Sequence, residues 1–187
     1  MNDVTTADTA RTATRVAVGT RYRIMPPMTA GPLIDAELAA FLQSGVSMHI
    51  ATARGNVPQL ARAAACRVAP DRRRVTMFVA PAQAVAVLDD VAANGAVAAV
   101  FTKPLTHRTV QLKGGDARIV SAGHEEAALV RAQVDAFGAE LASMGFPGRL
   151  GAILALGGAT QLLAITFSVS AAFVQTPGPG AGGALGR

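Results

Sequence analysis

The sequence predicts a mainly β domain of the α+β class, in which antiparallel strand pairs close into a barrel and helices lie at its periphery. Two observations predict this fold. Six segments have the alternation or the short apolar run of a strand, and turn residues separate most of them. Only three segments have the three- and four-residue spacing of an amphipathic helix. The 187 residues, of which 51% are hydrophobic, suffice for one domain with a full core.

The strands follow from the alternation and from the turns between them. In the first, Met48 and Ile50 alternate with Ser47 and His49, and a turn at 54–58 leads into the second, so the two form a hairpin. The fifth strand has polar side chains on one side and apolar side chains on the other. The predicted strands cover residues 46–51, 59–68, 75–79, 96–102, 108–120 and 165–173.

Three helices are predicted from apolar spacing and from residues that suit helix ends. Asp35 can cap the first, Pro81 suits the first turn of the second, and Gly95 ends the second. Ser121 and Gly145 stand where the caps of the third helix belong. The apolar faces consist of Leu38, Phe41 and Leu42 in the first helix, Val85, Leu88 and Val91 in the second, and Val130, Val134, Phe137, Leu141 and Met144 in the third.

The two ends of the chain differ from the predicted barrel in composition. Residues 1–31 mix Thr, Ala, Asp and Arg without apolar periodicity, which predicts a flexible N-terminal arm without a secretory signal. Residues 177–187 form a Gly/Pro-rich C-terminal tail with little capacity for regular structure. We therefore expect the barrel domain at residues 32–176.

The stretch from Leu150 to Gly186 contains no charged residue, and its hydropathy alone would fit a membrane helix. However, Gly157 and Gly158 would interrupt such a helix, and residues 165–173 alternate with a period of two. This period favours a strand, so no membrane partner is expected. A membrane-attached protein built around this stretch is the alternative.

Charge and cysteine content limit the classes of function. The net charge of +5 would suit nucleic acid, but the chain has no Trp and one Tyr to stack on bases, and the arginines at 72–74 are typical of a solvated turn. No nucleic-acid partner is therefore expected. The single Cys66 excludes an intrachain disulfide, and it indicates a buried thiol and a cytoplasmic location. His49, His107 and His124 lack zinc spacing, and we interpret His49 and His124 as structural.

Three segments, in this order along the chain, carry a resemblance to a known family. They are Arg-Ala-Ala-Ala-Cys-Arg at 62–67, Thr-His-Arg-Thr-Val-Gln-Leu-Lys-Gly at 106–114 and Gln-Thr-Pro-Gly-Pro at 175–179. Together with the order of elements, they resemble the pyridoxamine 5'-phosphate oxidase-like flavoproteins over residues 34–179. The resemblance implies a six-stranded antiparallel split β-barrel that binds FMN. It also implies a homodimer with the cofactor site at the subunit interface, and a small-molecule substrate that the sequence does not identify.

The resemblance implies cofactor-binding residues on the second and third strands. Arg62 and Arg67 stand where the family meets the flavin phosphate and ring edge, and an Arg fork suits phosphate oxygens. Because five residues separate them, a regular strand would turn them to opposite faces, and the alternative is that one only reaches solvent. Phe78, Val79 and Gln83 match the end of the third strand and the start of the next helix, where the family's basic phosphate-binding pair is missing.

On the fifth strand, Thr109 and Gln111 match the positions that donate to the flavin ring, and Lys113 would supply a cation near the phosphate or the reduced ring. The alternative is that this face only meets solvent. His107 is interpreted as a turn residue, with a proton donor as the other interpretation. The resemblance thus implies an FMN-binding flavoprotein and FMN-dependent oxidoreductase. The alternative is a non-catalytic split barrel that binds flavin, haem or another planar ligand.

Overall fold

The computed structural model describes residues 34–185, so the predicted arm at 1–31 lies outside it. Within the described residues the chain forms eight strands and four α-helices. The strands are β1 (Ser47–Arg54), β2 (Val57–Val68), β3 (Arg74–Val79), β4 (Val97–Thr102), β5 (Thr109–Gly114), β6 (Arg118–Ser121), β7 (Leu163–Ser168) and β8 (Ala171–Val174). The helices are α1 (Ala36–Leu42), α2 (Val85–Asn94), α3 (Ala127–Ser143) and α4 (Arg149–Leu156), and 3₁₀ turns lie at Pro81–Gln83 and His124–Glu126.

All eight strands belong to one antiparallel sheet, in the order β6, β7, β3, β2, β1, β4, β5, β8. The mainly β class with peripheral helices is therefore confirmed, although eight strands replace the predicted six. The difference arises at two bends. Strands β5 and β6 follow each other closely and pair with β8 and β7 respectively, which also follow each other closely. Each successive pair is thus one predicted strand that bends, and the sheet has six such segments.

Two contacts fix the bend between β5 and β6. A Cβ on Gly114 would lie 2.6 Å from the Phe167 ring and 2.8 Å from the Ser168 carbonyl oxygen, so this close approach requires glycine. Asp116 Oδ1 accepts a hydrogen bond from the Ser168 backbone N–H at 2.8 Å. Burial alone would raise the pKa of Asp116, but its hydrogen bonds with Ser168 and the charge of Arg118 lower it overall. The carboxylate is therefore ionised at neutral pH.

The core fills the interior of the barrel, and α1 and α2 pack against it. Thr52 of β1 donates a hydrogen bond to buried Asp90 of α2 at 2.9 Å, and Arg54 pairs with the same carboxylate at 3.0 Å. These bonds hold α2 against β1. The largest buried side chains of this core include Leu42, Ile50, Met77, Phe101, Leu112, Ile165 and Phe167.

The first two helices largely match their predictions. Asp35 accepts a hydrogen bond from the Leu38 backbone N–H at 2.7 Å, which confirms the cap of α1. Gly95 has φ +65° and ends α2 as predicted. The prediction that Val85 faces inward is wrong, because α2 begins at this residue and Val87 occupies the buried position of the first turn.

The last two helices differ more from the sequence analysis. Ser121 does not cap α3, because it pairs with β7 as the last residue of β6. Helix α4 was not predicted, and Gly157 ends it with φ +56°. It packs so closely on α3 that a Cβ on Gly151 would lie 2.7 Å from the Gly138 Cα. The sequence of α4 alone does not predict this packing of Gly151 against Gly138 of α3.

Helices α3 and α4 cover one part of the outer face of the barrel. Ala64 of β2 packs with Val134 of α3 and Ala155 of α4. The next residue, Ala65, packs with Phe78 under the start of α3. Within residues 34–185, the helices make their main contacts with β1, β2 and β6 rather than with β4, β5 or β8. None of the described helices therefore makes its main contacts with these three strands.

The uncharged stretch begins in α4, and its alternating part forms strands as predicted, because residues 163–168 and 171–174 are β7 and β8. No helix within residues 34–185 is long and apolar enough to cross a membrane. Residues 177–185 fold back along β8. The backbone N–H of Leu185 donates to the Ala172 carbonyl at 2.8 Å, and the Leu185 side chain packs against the core.

Candidate functional site

A bulge in β2 decides which of its side chains face outward. Pairing with β3 shifts by one residue at Ala64. Before the shift, Ala63 belongs to the core of the barrel, and after it Cys66 does. Because the bulge inserts one residue, Arg62 and Arg67 both face outward. The alternative that their spacing turns them to opposite faces is therefore wrong.

A row of five outward side chains crosses the sheet from β2 and β1 to the three strands without main helix contacts. Arg62, His49, Val100, Gln111 and Phe173 lie on β2, β1, β4, β5 and β8, and each is the direct cross-strand partner of the next. Neighbouring strands lie about 4.8 Å apart, so Arg62 and Gln111 are about 14 Å apart along the row. We call these five residues the flavin row, because Arg62 and Gln111 are among the residues that the resemblance assigns to a flavin site.

Polar groups flank the flavin row on both sides. Ser47, Thr102 and Thr109 form a neighbouring row of hydroxyls across β1, β4 and β5. Thr109 Oγ1 donates to Thr102 Oγ1 at 3.1 Å. On the other side, the Lys113 ammonium lies 5.1 Å from the centre of the Phe173 ring. Four of the sequence-predicted residues, Arg62, Thr109, Gln111 and Lys113, therefore share one face.

Arg62 is a partly buried cation whose only side-chain partner within residues 34–185 is a hydroxyl. Its Nη1 donates to Ser47 Oγ at 3.0 Å, and no described carboxylate pairs with it. Partial burial lowers the pKa of Arg62, which stays charged at neutral pH. Burial, followed by the charge of Arg62, lowers the pKa of His49 opposite it. A charged guanidinium beside a neutral imidazole suits an anionic ligand.

His49 and Ser47 are site residues that the sequence analysis did not select. His49 was interpreted as structural, yet it stands next to Arg62 on the outward face of the sheet. The signal was present in the predicted hairpin, because Ser47 and His49 alternate with the core residues Met48 and Ile50. The missing information was the pairing register, which brings His49 opposite Arg62.

Arg67 has a different environment from Arg62. Its Nη2 lies 2.6 Å from Oε1 of Glu126, a carboxylate that is only 7% exposed. Five residues of strand separate the two arginines by about 16 Å. Arg67 therefore compensates a buried charge at the start of α3, and the structure does not bring it into the flavin row.

The other three sequence-predicted residues also lie apart from the flavin row. Phe78 is fully buried under α3, and Val79 is fully buried in the core. Gln83 is exposed in the 3₁₀ turn after β3, where its amide lies against Gly157 and leaves no room for a Cβ there. His107 lies in the turn between β4 and β5 with φ +57°, in agreement with the turn interpretation.

A groove between α3, α4 and the segment before β7 lies apart from the flavin row. Its volume is about 640 Å³, and Val130, Val134 and Leu156 are among the apolar residues that line it. Arg131 and Asp135 add charges of opposite sign. The volume suits a small organic ligand. Sequence reasoning missed this groove because α4 was not predicted.

Comparisons with known proteins give structural neighbours only. No family model and no curated protein matches this sequence. HupZ of Group A Streptococcus is 15% identical with a TM-score of 0.49, over 80% of this chain and 99% of that one. General Stress Protein 26 of Bacillus anthracis is 12% identical with a TM-score of 0.42, over 72% and 88%. A pyridoxamine 5'-phosphate oxidase-related, FMN binding protein of Nostoc punctiforme is 13% identical with a TM-score of 0.44, over 82% and 89%.

Proposed function

We propose that this protein is an FMN-binding flavoprotein and an FMN-dependent oxidoreductase, similar to the pyridoxamine 5'-phosphate oxidase-like family. The observation that carries the proposal is the flavin row on the outward sheet face, with Arg62 at one end and Gln111 toward the other. Their separation of about 14 Å is on the scale of an extended mononucleotide. The sequence resemblance at 62–67 and 106–114 supports the same reading, because both segments contribute to this face.

Arg62 is the residue proposed to hold the phosphate. Its guanidinium has free N–H groups and no described carboxylate partner, and an Arg fork binds phosphate oxygens in a bidentate way. Ser47 fixes one N–H of this fork, so the remaining donors are oriented before a ligand binds. His49 is neutral beside it and adds a donor without adding charge.

Gln111 is the residue proposed to meet the flavin ring. Its amide is half-buried and makes no side-chain hydrogen bond to another described residue, so both its donor and its acceptor remain for the mixed polar edge of the ring. Lys113 lies two residues further on the same face, and its charge would stabilise negative charge on the reduced ring. When bound, the flavin supplies hydride or electron transfer, and the protein supplies binding and orientation.

The proposal includes a homodimer whose interface is the sheet face with the flavin row. Leu60 of β2 is 65% exposed and pairs with Ala51, two residues along each strand from Arg62 and His49. With Val100 and Phe173 of the flavin row, it adds apolar side chains to one face, and contiguous apolar surface is typical of a protein interface. We expect sedimentation of the native protein to give a dimer, and the Leu60→Glu variant to give a monomer. A native monomer would remove the subunit interface from the proposal.

The test of the cofactor is direct. The purified chain is mixed with excess FMN, desalted, and examined by visible spectroscopy and calorimetric titration. One FMN per subunit is expected, with binding weakened about 10-fold to 150-fold in Arg62→Met, because a charge-assisted hydrogen bond contributes about 1.5–3 kcal/mol. Arg149→Met is the matched control, since Arg149 is an exposed arginine at the start of α4. A colourless native protein, or equal weakening in both variants, would remove the flavin assignment.

The alternative function is a non-catalytic binder of flavin, haem or another planar ligand, and the groove between α3 and α4 favours it. Ala152 of α4 lines the groove and is exposed. The Ala152→Trp variant should fill the groove without disturbing the flavin row. Ligand binding that survives Arg62→Met but is lost in Ala152→Trp would support this second function.

A cytoplasmic location belongs to the same proposal. Burial raises the pKa of the free Cys66 thiol, and its Sγ donates a hydrogen bond to the Leu42 carbonyl at 3.2 Å. Such a thiol is chemically inert and needs no disulfide partner. Fractionation of the source cells with an antibody to the chain would test the location.

A further inference from the structure

A second row of outward side chains crosses the sheet on β2, β3, β7 and β6. Arg67, Thr76, Thr166 and Arg118 are direct cross-strand partners in that order. Thr76 Oγ1 donates to Thr166 Oγ1 at 3.2 Å, so the two hydroxyls lie together between the two arginines. None of these residues belongs to the flavin row.

The same strands carry a hollow of about 180 Å³. Arg74, Asp116, Arg118 and Thr166 contribute its polar lining. Since one water occupies about 30 Å³ of liquid, the hollow has room for a small hydrated anion. Arg118 is the partner of Thr166 on one side of β7, and Arg74 is the partner of Ser168 on the other. The two arginines therefore flank β7.

The spacing of Arg74 and Arg118 allows their side chains to converge. They are two strands apart and offset by two residues, which gives a separation of about 12 Å between their Cα atoms. Two long guanidinium side chains reach across such a distance, and both line the hollow. Two like charges at one hollow repel each other, and an anion between them offsets this repulsion.

The carboxylates near this hollow do not neutralise it. Within residues 34–185, no carboxylate pairs with Arg74 or Arg118. Asp116 lines the hollow as an ionised carboxylate, and it offsets one of the two guanidinium charges. Glu126, which lies near the end of the row, pairs with Arg67. Two guanidinium groups thus face one carboxylate, and an excess of positive charge remains.

We propose that Arg74 and Arg118, with the Thr166 hydroxyl, form a binding site for a tetrahedral oxyanion, either inorganic phosphate or the phosphate group of a small monoester. The two guanidinium groups donate to the oxyanion oxygens from both sides of β7, as charge-assisted hydrogen bonds. The hydroxyl of Thr166 accepts from Thr76 and donates its own hydrogen to the anion. The site is independent of the proposed flavin function, because it shares no residue with the flavin row.

The experiment is a titration of the full chain with inorganic phosphate at constant ionic strength, followed by nuclear magnetic resonance of the backbone amides and of the arginine Nε–H groups. Saturable shifts are expected at Thr76, Thr166, Arg74 and Arg118. Arg74→Gln and Arg118→Gln should each weaken binding about tenfold or more, since each removes charge-assisted hydrogen bonds. Arg73→Gln is the matched control, and its effect should stay within about twofold, the range of ionic screening.

Three outcomes would overturn the proposal. They are shifts that do not saturate, equal weakening in Arg73→Gln and Arg74→Gln, and loss of phosphate binding in Arg62→Met, which would assign the phosphate to the flavin row. A parallel titration with glycerol phosphate separates the two sources. Equal or tighter binding of glycerol phosphate supports a monoester ligand, and binding of inorganic phosphate alone supports the free ion.

Discussion

Replacement of Gln133 by Met should destabilise the protein by a measurable amount, because the Gln133 side chain makes hydrogen bonds to the buried backbone N–H and C=O of Cys66. Its Oε1 accepts from the Cys66 N–H at 2.9 Å, and its Nε2 donates to the Cys66 carbonyl at 2.7 Å. Cys66 is fully buried, as predicted, and Gln133 is 6% exposed. An unsatisfied buried polar group costs about 1–3 kcal/mol, so losing both bonds should lower the free energy of unfolding by about 2–6 kcal/mol.

The assay is urea denaturation followed by circular dichroism, since the chain has no Trp to report by fluorescence. The midpoint of the Gln133→Met variant should fall by about 1 M or more. Gln43→Met is the matched control, because Gln43 also bonds β2, through the Val68 N–H at 3.1 Å, but water can reach this part-buried site. Its loss should be about 1 kcal/mol or less. Equal midpoints for the two variants would refute the reasoning.

Three further predictions concern the bend between β5 and β6, the pH dependence of stability, and the ion pair between Arg67 and Glu126. Gly114→Ala should destabilise by about 2 kcal/mol or more in thermal unfolding, whereas Gly115→Ala, with open space around it, should change stability by less than about 1 kcal/mol. The pKa of His49 is lowered by folding, so stability should be complete above about pH 6.5 and fall below it, and His49→Gln should abolish this fall in urea titrations at two pH values. Arg67→Met leaves the buried Glu126 carboxylate without the half-exposed guanidinium that pairs with it. This variant should lower the free energy of unfolding by about 1–3 kcal/mol, and by more than Glu126→Gln. Equal losses would contradict this asymmetry.

The barrel could be predicted from the sequence because its signal is local. Successive side chains that alternate between apolar and polar indicate a strand without any information from distant residues. The six strand segments were therefore found. The bends were not found. The chain pairs with β8 before the bend at Gly114 and with β7 after it, and this bend depends on Phe167 and Ser168, more than fifty residues away. Helix α4 was missed for a similar reason, since the approach of Gly151 to Gly138 decides its place.

The candidate site was predicted in part, and the bulge explains the remainder. Residues 63–65 are three alanines, and a run of identical small residues contains no alternation from which a bulge can be read. Counting through this run placed Arg62 and Arg67 on opposite faces. In the fifth predicted strand, by contrast, polar and apolar residues alternate in the sequence, so Thr109, Gln111 and Lys113 were predicted to share one face.

The sheet separates its cations into two groups, and this separation links the two proposals. Four cations of the described residues pair with carboxylates that tie the sheet or its loops to a helix or 3₁₀ turn: Arg54 with Asp90, Arg67 with Glu126, Lys103 with Glu140, and Arg108 with Glu37. These pairs use carboxylates for packing. Other cations on outward strand faces have no such carboxylate partner within residues 34–185. Arg62 is one of them, and Arg74 and Arg118 are others. Because a guanidinium without a paired carboxylate attracts anions, this arrangement supports both proposals: the phosphate position of the part-buried Arg62 in the flavin row, and the oxyanion site of the exposed Arg74 and Arg118 beside β7.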